Sequence, residues 1–139
     1  MNIFLDANIC LDLLDTKRPT SLTSVEWYMT HKDNEEMKFY FSSDFITTFY
    51  YVLTQKRKYD GFKVIEAIEA LSFEITPFYL THSDFIHAKN DFKSTIFNDF
   101  EDLIILHSAI RAKSKIFITN DKELLALGSF KEMKIVNVL

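Results

Sequence analysis

Short apolar runs alternate with longer segments of helical periodicity along the whole chain, and this alternation constrains the fold more than any other feature. We predict strands at residues 2–5, 37–41, 73–80, 115–119 and 134–138. Strands that are separated by helices indicate a parallel sheet with helices on both of its faces. The expected fold class is therefore α/β, a three-layer α/β/α arrangement with a central, mainly parallel sheet of about five strands.

The segments between and after the strands predict helices that end near residues 14, 31, 58, 71, 91, 113 and 127, the sixth being the long segment 98–113. Pro77 predicts that the third strand lies at an edge of the sheet or ends at the proline. Three helices are preceded by residues whose side-chain oxygens can cap free N–H groups. These are Thr20 and Ser21, Ser42 and Ser43, and the capping-box segment 81–84.

Length and composition predict a single domain over residues 1–139. The two glycines are isolated from each other, which excludes a glycine-rich phosphate-binding loop. Cys10 is the only cysteine, so neither a disulfide within the chain nor a thiolate metal cluster can form. Because we find no charged-then-apolar leader and no apolar run of membrane-spanning length, the expected compartment is the cytoplasm.

Two aspartates follow predicted strands. Asp6 ends the first strand, and Asp121 comes shortly after the fourth. In open α/β sheets, ligands bind beyond the carboxyl ends of the strands, so both acids are expected at the same edge of the sheet. Either aspartate alone is better explained as the cap of the helix that follows it. The pair together favours an acidic site.

A third acid, Asp102, lies on the apolar side of the sixth predicted helix. At about 100° per residue, Ile105, Leu106 and Ala109 lie within about 60° of it. A carboxylate in this position is costly to bury, so it needs a hydrogen-bond network, a cation or a metal. Asp99, one turn earlier, is expected to project to the same side, and the helix dipole alone could also stabilise such an acid pair.

The candidate ligands are oxygen atoms, which Mg²⁺ or Mn²⁺ would suit. His82 and His87 do not share a helix face, and the other two histidines have no companion, so a zinc site is not expected. The net charge is −4, so the overall field of the protein would not attract phosphates. If nucleic acid is the substrate, a bound divalent cation could offset the local repulsion.

Three segments together resemble the PIN-domain family. Residues 4–14, Phe-Leu-Asp-Ala-Asn-Ile-Cys-Leu-Asp-Leu-Leu, resemble the family's opening strand, turn and helix. The acidic segment 98–102, followed by an alanine-containing helix, is similar to the third-acid segment of the family. Residues 118–121, Ile-Thr-Asn-Asp, are similar to its strand-end Thr-x-Asp motif, although Asn120 replaces an arginine often found there. The order and spacing of these motifs match over nearly the whole chain.

This resemblance implies a Mg²⁺- or Mn²⁺-dependent nuclease, most often one that acts on RNA. Asp6, Asp102 and Asp121 would be its catalytic and metal-binding acids, with Asn8 and Thr119 as supporting polar residues. Members of this size are similar to the VapC-type toxins of toxin–antitoxin pairs. The resemblance therefore also implies a homodimer and an antitoxin that inserts near the acidic pocket, and no association with membranes is expected.

One position departs from the family pattern. PIN domains usually carry a glutamate on the helix after the second strand, where this chain has Thr48. Asp44 lies one turn earlier and about 40° away on the same face, so it is a candidate substitute metal ligand. It is equally a candidate helix cap. The missing glutamate leaves, as an alternative function, a catalytically weakened PIN domain that binds nucleic acid or protein.

Three basic residues are candidates for contacts with nucleic acid. Lys56, Arg57 and Lys58, at the end of the third helix, are candidate nucleic-acid contacts, although cations at a helix C-terminus are favoured by the dipole and need no ligand.

A haloacid-dehalogenase-type phosphatase also starts with an aspartate after its first strand, but it needs a second aspartate where this chain has Asn8. A receiver-like signalling domain is a weaker alternative, because its lysine has no obvious counterpart.

Overall fold

The computed structural model describes residues 1–94, 97 and 99–138, which form helices around a six-stranded sheet. The strands are β1 (Asn2–Leu5), β2 (Lys38–Ser42), β3 (Thr76–Phe78), β4 (Ser114–Ile118), β5 (Ser129–Phe130) and β6 (Met133–Val136). Their order across the sheet is β3-β2-β1-β4-β6-β5. Neighbouring strands run parallel except β5 and β6, which pair antiparallel. The predicted α/β class with a mainly parallel sheet is therefore confirmed.

The helices lie between and after the strands, as predicted. They are α1 (Ala7–Leu14), α2 (Ser21–His31), α3 (Phe45–Tyr51), α4 (Gly61–Glu74), α5 (His82–Ser94), α6 (Phe100–Arg111) and α7 (Lys122–Leu127). A π-helical segment, Val52–Lys56, continues α3 towards its predicted end. Within the described part of the chain, no helix combines the length and the apolar character that crossing a bilayer requires.

The two edges of the sheet differ from the prediction in detail. β5 was not predicted, because its two residues are too few to show the alternation by which a strand is recognised. At the other edge, β3 begins at Thr76 and not at residue 73, because α4 continues to Glu74 and the N–H of Ile75 donates to Leu71 O at 2.8 Å. β3 does lie at an edge of the sheet, as Pro77 predicts.

The predicted caps of the second and fifth helices have different outcomes. The backbone N–H of Thr81 donates to Asp84 Oδ2 at 2.9 Å, which is one half of the predicted capping box, and α5 begins at the next residue. Thr20 makes no capping bond to α2; its hydroxyl donates to the buried Asp12 at 2.7 Å. Thr20 has near-helical backbone angles (φ −93°, ψ −2°) and not the extended geometry in which a side chain caps the helix that follows it.

The third and sixth helices also begin differently from the prediction. Ser42 Oγ accepts a hydrogen bond from the N–H of Asp44 at 3.3 Å, before α3 starts. The sixth helix begins at Phe100, with Asp99 as its N-cap. Asn98, the predicted first residue of that helix, lies outside the described residues.

β1 lies in the interior of the sheet between β2 and β4. Phe4 and Leu5 are fully buried, and the ring of Phe4 stacks on Phe117 of β4 with centroids 5.8 Å apart. A continuous apolar run is typical of a strand that is covered on both faces. Asp6 is the next residue after this strand, so the fold places its carboxylate at the middle of the carboxyl edge of the sheet.

Candidate metal centre

Asp6 is 8% exposed, and three donors fix its carboxylate. Oδ1 accepts from the N–H of Ala7 at 2.8 Å, which caps α1. Oδ2 accepts from Thr119 Oγ1 at 2.7 Å and from Asn8 Nδ2 at 3.3 Å. Burial raises the pKa of Asp6; the three hydrogen bonds oppose this increase, and the negative charge of Asp121 adds to it.

Thr119 and Asn8, the two predicted supporting residues, join the loops that follow β1 and β4. Thr119 is fully buried; its hydroxyl donates to Asp6 and accepts from the N–H of Asp121 at 3.0 Å and from Asn8 Nδ2 at 3.2 Å. Asn8 Oδ1 accepts from the N–H of Asn120 at 3.1 Å. Each side chain therefore contacts both loops, and the acids on these loops are held in a fixed relation to each other.

Asp121 caps α7 and also contributes charge to the site. Its Oδ1 accepts from the N–H groups of Glu123 and Leu124 at 2.8 and 3.1 Å. Its negative charge raises the pKa of both Asp6 and Asp102. The side chain of Asp121 thus caps α7 and also acts electrostatically on the other two acids.

Asp102 is half-buried in the first turn of α6. Burial raises the pKa of Asp102 to about 7, and the charges of Asp99, Asp6 and Asp121 add to this increase. Carboxylates that affect one another in this way lie close together, because charge–charge interactions weaken with distance. The structure therefore brings Asp6, Asp102 and Asp121, from three distant parts of the chain, within electrostatic reach of one another.

The expectation that Asp99 forms an inward-facing pair with Asp102 is wrong. Asp99 is exposed, and its Oδ1 accepts from the N–H of Asp102 at 3.0 Å as the cap of α6. The N-cap position precedes the helix and has extended backbone geometry, so helical spacing does not describe where its side chain points.

A cavity of about 410 Å³ opens beside Asp6 and Asp102. Asp44 and Thr48 also line it, and the apolar part of the lining comes from Ala7, Phe45, Leu80, Ile104 and Ile105. Asp44 precedes α3 but makes no side-chain capping bond to it. Asp44 therefore lines the cavity and does not cap α3 through its side chain.

Glu101 is a cavity residue that was not predicted from the sequence. It is exposed, lines the same cavity and contributes to the raised pKa of Asp102. The run of acids at 99–102 is the feature that indicates it, but helical phase places residue 101 outside the apolar stripe by which Asp102 was selected.

The donor set has the chemistry of a divalent-cation site. Among the residues that the structure describes, no three acidic, histidine or cysteine side chains already stand as a complete metal-binding group. Mg²⁺ does not require one, since it usually binds one or two carboxylates and keeps waters and substrate phosphates in its shell. The acids here are hard oxygen donors that repel one another, and a cation would relieve this repulsion.

The predicted nucleic-acid contacts lie away from the cavity. Lys56 ends the helical segment that begins beside Asp44, so roughly 18 Å of helix separates them. Arg57 Nε donates to Asp15 at 2.8 Å, and this pair ties the end of the π-helical segment to α1. None of Lys56, Arg57 and Lys58 lines the cavity. The ion pair with Asp15 explains the position of the Arg57 side chain, so no nucleic-acid ligand is needed to explain it.

A mainly parallel sheet with an acidic cavity beyond the carboxyl end of its central strand defines an α/β protein with a candidate metal centre. The family model of the PIN domain matches residues 2–123 of this chain. The chain belongs to the PIN-domain family, which confirms the resemblance seen in the sequence. This match excludes the two alternative assignments, a haloacid-dehalogenase-type phosphatase and a receiver-like signalling domain.

Solved structures with the same fold include VapC proteins. VapC20 of Mycobacterium tuberculosis, described as a sarcin-ricin loop cleaving toxin, has a TM-score of 0.72 at 15% identity, covering 95% of this chain and 98% of that one. VapBC-1 of nontypeable Haemophilus influenzae has a TM-score of 0.67 at 19% identity, covering 97% and 96%. DNA-bound VapBC of Salmonella typhimurium has a TM-score of 0.68 at 15% identity, covering 100% and 99%. Comparison with curated proteins gives no match.

Proposed function

We propose that this protein is a Mg²⁺- or Mn²⁺-dependent endoribonuclease that hydrolyses RNA phosphodiester bonds, and that it is the toxin of a toxin–antitoxin pair. The observation that carries the proposal is the acidic cavity, which Asp6, Asp44 and Asp102 line, with Asp121 near enough for its charge to act on Asp6 and Asp102. Burial raises the pKa of Asp102 to about 7, and the charges of the neighbouring acids add to this increase. Family membership and the VapC fold support the same function.

The acids would have different parts in this function. Asp6 is held by three donors, so it would be a ligand whose position does not change. Asp102 receives no side-chain hydrogen bond from the described residues, so it would give up its proton and bind the cation directly. Asp121, with one oxygen engaged at the start of α7, would act through water. The bound cation would supply positive charge and Lewis acidity at the scissile phosphate.

The test is cleavage of unstructured single-stranded RNA with Mn²⁺, compared with the same reaction in EDTA. Asp6→Asn keeps the size of the side chain and removes its charge, and we expect it to abolish cleavage while the far-UV circular dichroism spectrum is unchanged. Asp33→Asn makes the same change at an exposed position after α2 and should leave the rate unchanged. Undiminished cleavage by Asp6→Asn would refute the proposal.

A second candidate function is a PIN domain with weakened catalysis that acts as a binding module. Thr48 favours it, because a neutral hydroxyl stands on the cavity wall where the family usually has a glutamate. Calorimetric titration with Mn²⁺, run beside the cleavage assay, separates the two functions. Binding of Mn²⁺ without cleavage of any RNA would favour the module.

For partners, we propose an antitoxin protein and a homodimer. The structures of Haemophilus, Rickettsia felis and Salmonella relatives are VapBC complexes. An apolar groove between α3 and α4 is a suitable seat for the antitoxin, because it adjoins the cavity wall formed by Phe45 and Thr48. Its lining residues are Ile46, Thr47, Tyr50, Ile65 and Ile68. Ile65→Glu should lower the affinity for a co-expressed antitoxin without changing RNA cleavage.

A further inference from the structure

The outer face of α5 carries aromatic and basic side chains at helical spacing. His82, Phe85, Lys89 and Phe92 are all exposed, and at about 100° per residue they fall within an arc of about 80°. Phe85 and Phe92 are each 45% exposed. We call these four residues the α5 outer face. Packing in the core explains neither of these two phenylalanines.

The acids of α5 lie on its other side, where side chains of α6 bind them. Asp84 is buried and pairs with Arg111 of α6, whose Nη2 lies 2.9 Å from Asp84 Oδ2. Asp91 Oδ2 lies 2.6 Å from Nε2 of the buried His107. The helix therefore separates its charges, and the α5 outer face has a basic residue between aromatic rings and no acid.

Phe100, the first residue of α6, packs against both exposed phenylalanines. Its ring centroid lies 6.0 Å from that of Phe85 and 5.9 Å from that of Phe92, with both pairs edge to face. The ring of His82 lies at 29° to that of Phe85, with centroids 6.2 Å apart. These contacts fix the orientation of the rings while nearly half of each phenylalanine surface remains open, so a further planar group could stack without reorganising them.

The cavity lining includes chain neighbours of the α5 outer face and of Phe100. Leu80 lines the cavity and is two residues before His82. Phe100 is followed by the cavity residue Glu101, and Ile104, another lining residue, lies one turn after Phe100 on the same side of α6. Residues that are close to these rings in the chain therefore form part of the cavity lining.

We propose that the α5 outer face, backed by Phe100, binds unpaired RNA bases next to the cavity by stacking, with Lys89 contacting a neighbouring phosphate. The proposal rests on the ribonuclease function proposed above. A protein of net charge −4 with an acidic cavity gains little affinity for RNA from its overall field. Stacking on aromatic rings does not depend on that field, and it accepts every base. This face thus favours single-stranded RNA over a duplex, whose bases are already stacked.

The experiment measures fluorescence anisotropy of a labelled unpaired RNA oligonucleotide in EDTA, where cleavage is absent. Phe85→Leu and Phe92→Leu keep an apolar side chain and remove the ring, and each should raise Kd at least about fivefold. Phe85→Trp keeps an aromatic ring at this position and should bind the RNA with the affinity of wild type, in contrast to Phe85→Leu. Lys89→Gln should reduce the slope of log Kd against log salt by about one. Phe73→Leu is the matched control, because Phe73 is exposed on α4, and it should bind like wild type.

Two results would overturn the proposal: wild-type protein that does not bind the unpaired RNA, or leucine variants that bind as tightly as Phe73→Leu. Light scattering tests the competing explanation, in which a second copy of the chain covers this face. If the leucine variants dissociate a dimer while Kd for RNA is unchanged, the face belongs to a second copy of the chain and the proposal fails. Kd is measured without metal, so the two proposals can fail separately. If the protein binds RNA through these rings but cleaves no RNA with Mn²⁺, the nuclease function is refuted and the RNA-binding face is not.

Discussion

Replacing Asp102 with asparagine should stabilise the metal-free protein at pH 8 and not at pH 4. The pKa of Asp102 is raised from 3.8 to about 7, mainly by burial and then by neighbouring acids. About three pKa units correspond to at most about 4 kcal/mol. Screening of a half-buried carboxylate by solvent reduces the expected effect to about 1–2 kcal/mol. The variant keeps the backbone bond from residue 102 to Asp99, so the change is confined to charge.

The sign follows from proton binding. Between pH 4 and pH 7 the folded protein holds a proton on Asp102 that the unfolded chain has lost, so the free energy of unfolding falls as pH rises through this interval. Asparagine cannot ionise, and the variant avoids this loss. The difference in stability therefore grows from about zero near pH 4 to its full size above pH 7.

Thermal unfolding followed by circular dichroism in EDTA measures this difference. At pH 8 the variant should melt about 3–8 °C above wild type, and near pH 4 the two curves should coincide. Glu66→Gln, which removes an exposed acid of α4, should show no such pH dependence. Adding Mn²⁺ should raise the Tm of wild type more than that of the variant, because a bound ligand stabilises the state that holds it.

A melting temperature of Asp102→Asn that is equal to or below wild type at pH 8 would refute the reasoning. It would mean that the carboxylate of Asp102 is stabilised in the folded protein, and the case for an acidic cluster awaiting a cation would be lost. An equal increase at both pH values would instead trace the effect to packing.

Three further changes test other parts of the structure. Thr119→Val keeps the shape of the side chain but removes the hydroxyl that donates to Asp6, and we expect Mn²⁺ affinity to fall by about tenfold in calorimetry; unchanged affinity would remove Thr119 from the site. Thr48→Glu adds a carboxylate to the cavity wall and should tighten Mn²⁺ binding, whereas weaker binding would show that this wall does not face the cation. Arg57→Ala leaves the buried Asp15 with fewer donors and should lower the urea-derived free energy of unfolding by about 1–3 kcal/mol without changing Kd for RNA; a loss of RNA affinity alone would make Arg57 a ligand contact.

Sequence was sufficient for those site residues whose position follows from one strand or one helix. Asp6 and Asp121 follow strands, and parallel topology brings the ends of neighbouring strands together. The position of Asp102 follows from helical phase within the apolar stripe of α6. Each of these rules needs only local pattern and the order of the strands, and both are readable before the chain is folded.

Features that depend on partners distant in sequence were not predictable in this way. Arg57 has its acceptor in Asp15, and Thr20 has its acceptor in Asp12; in both cases an ion-pair or hydrogen-bond partner on another element decides the role. The location of Lys56 away from the cavity follows from the direction in which the helical segment runs from the sheet. These arrangements belong to the packing of helices, which the pattern of a single segment does not specify.

The bond between Thr119 and Asp6 has a consequence for the order of events during synthesis. Its two ends are 113 residues apart in the chain, and the bond forms only when β4 has docked beside β1. When the ribosome has released the first hundred residues, Asp6 is outside it, but Thr119 and Asp121 have not yet emerged. A nascent chain therefore carries separate acids without an assembled centre. Since domains fold as units, the proposed metal centre would form only as translation ends. If the protein is the nuclease proposed above, this order would protect the messenger RNA of the cell that makes it.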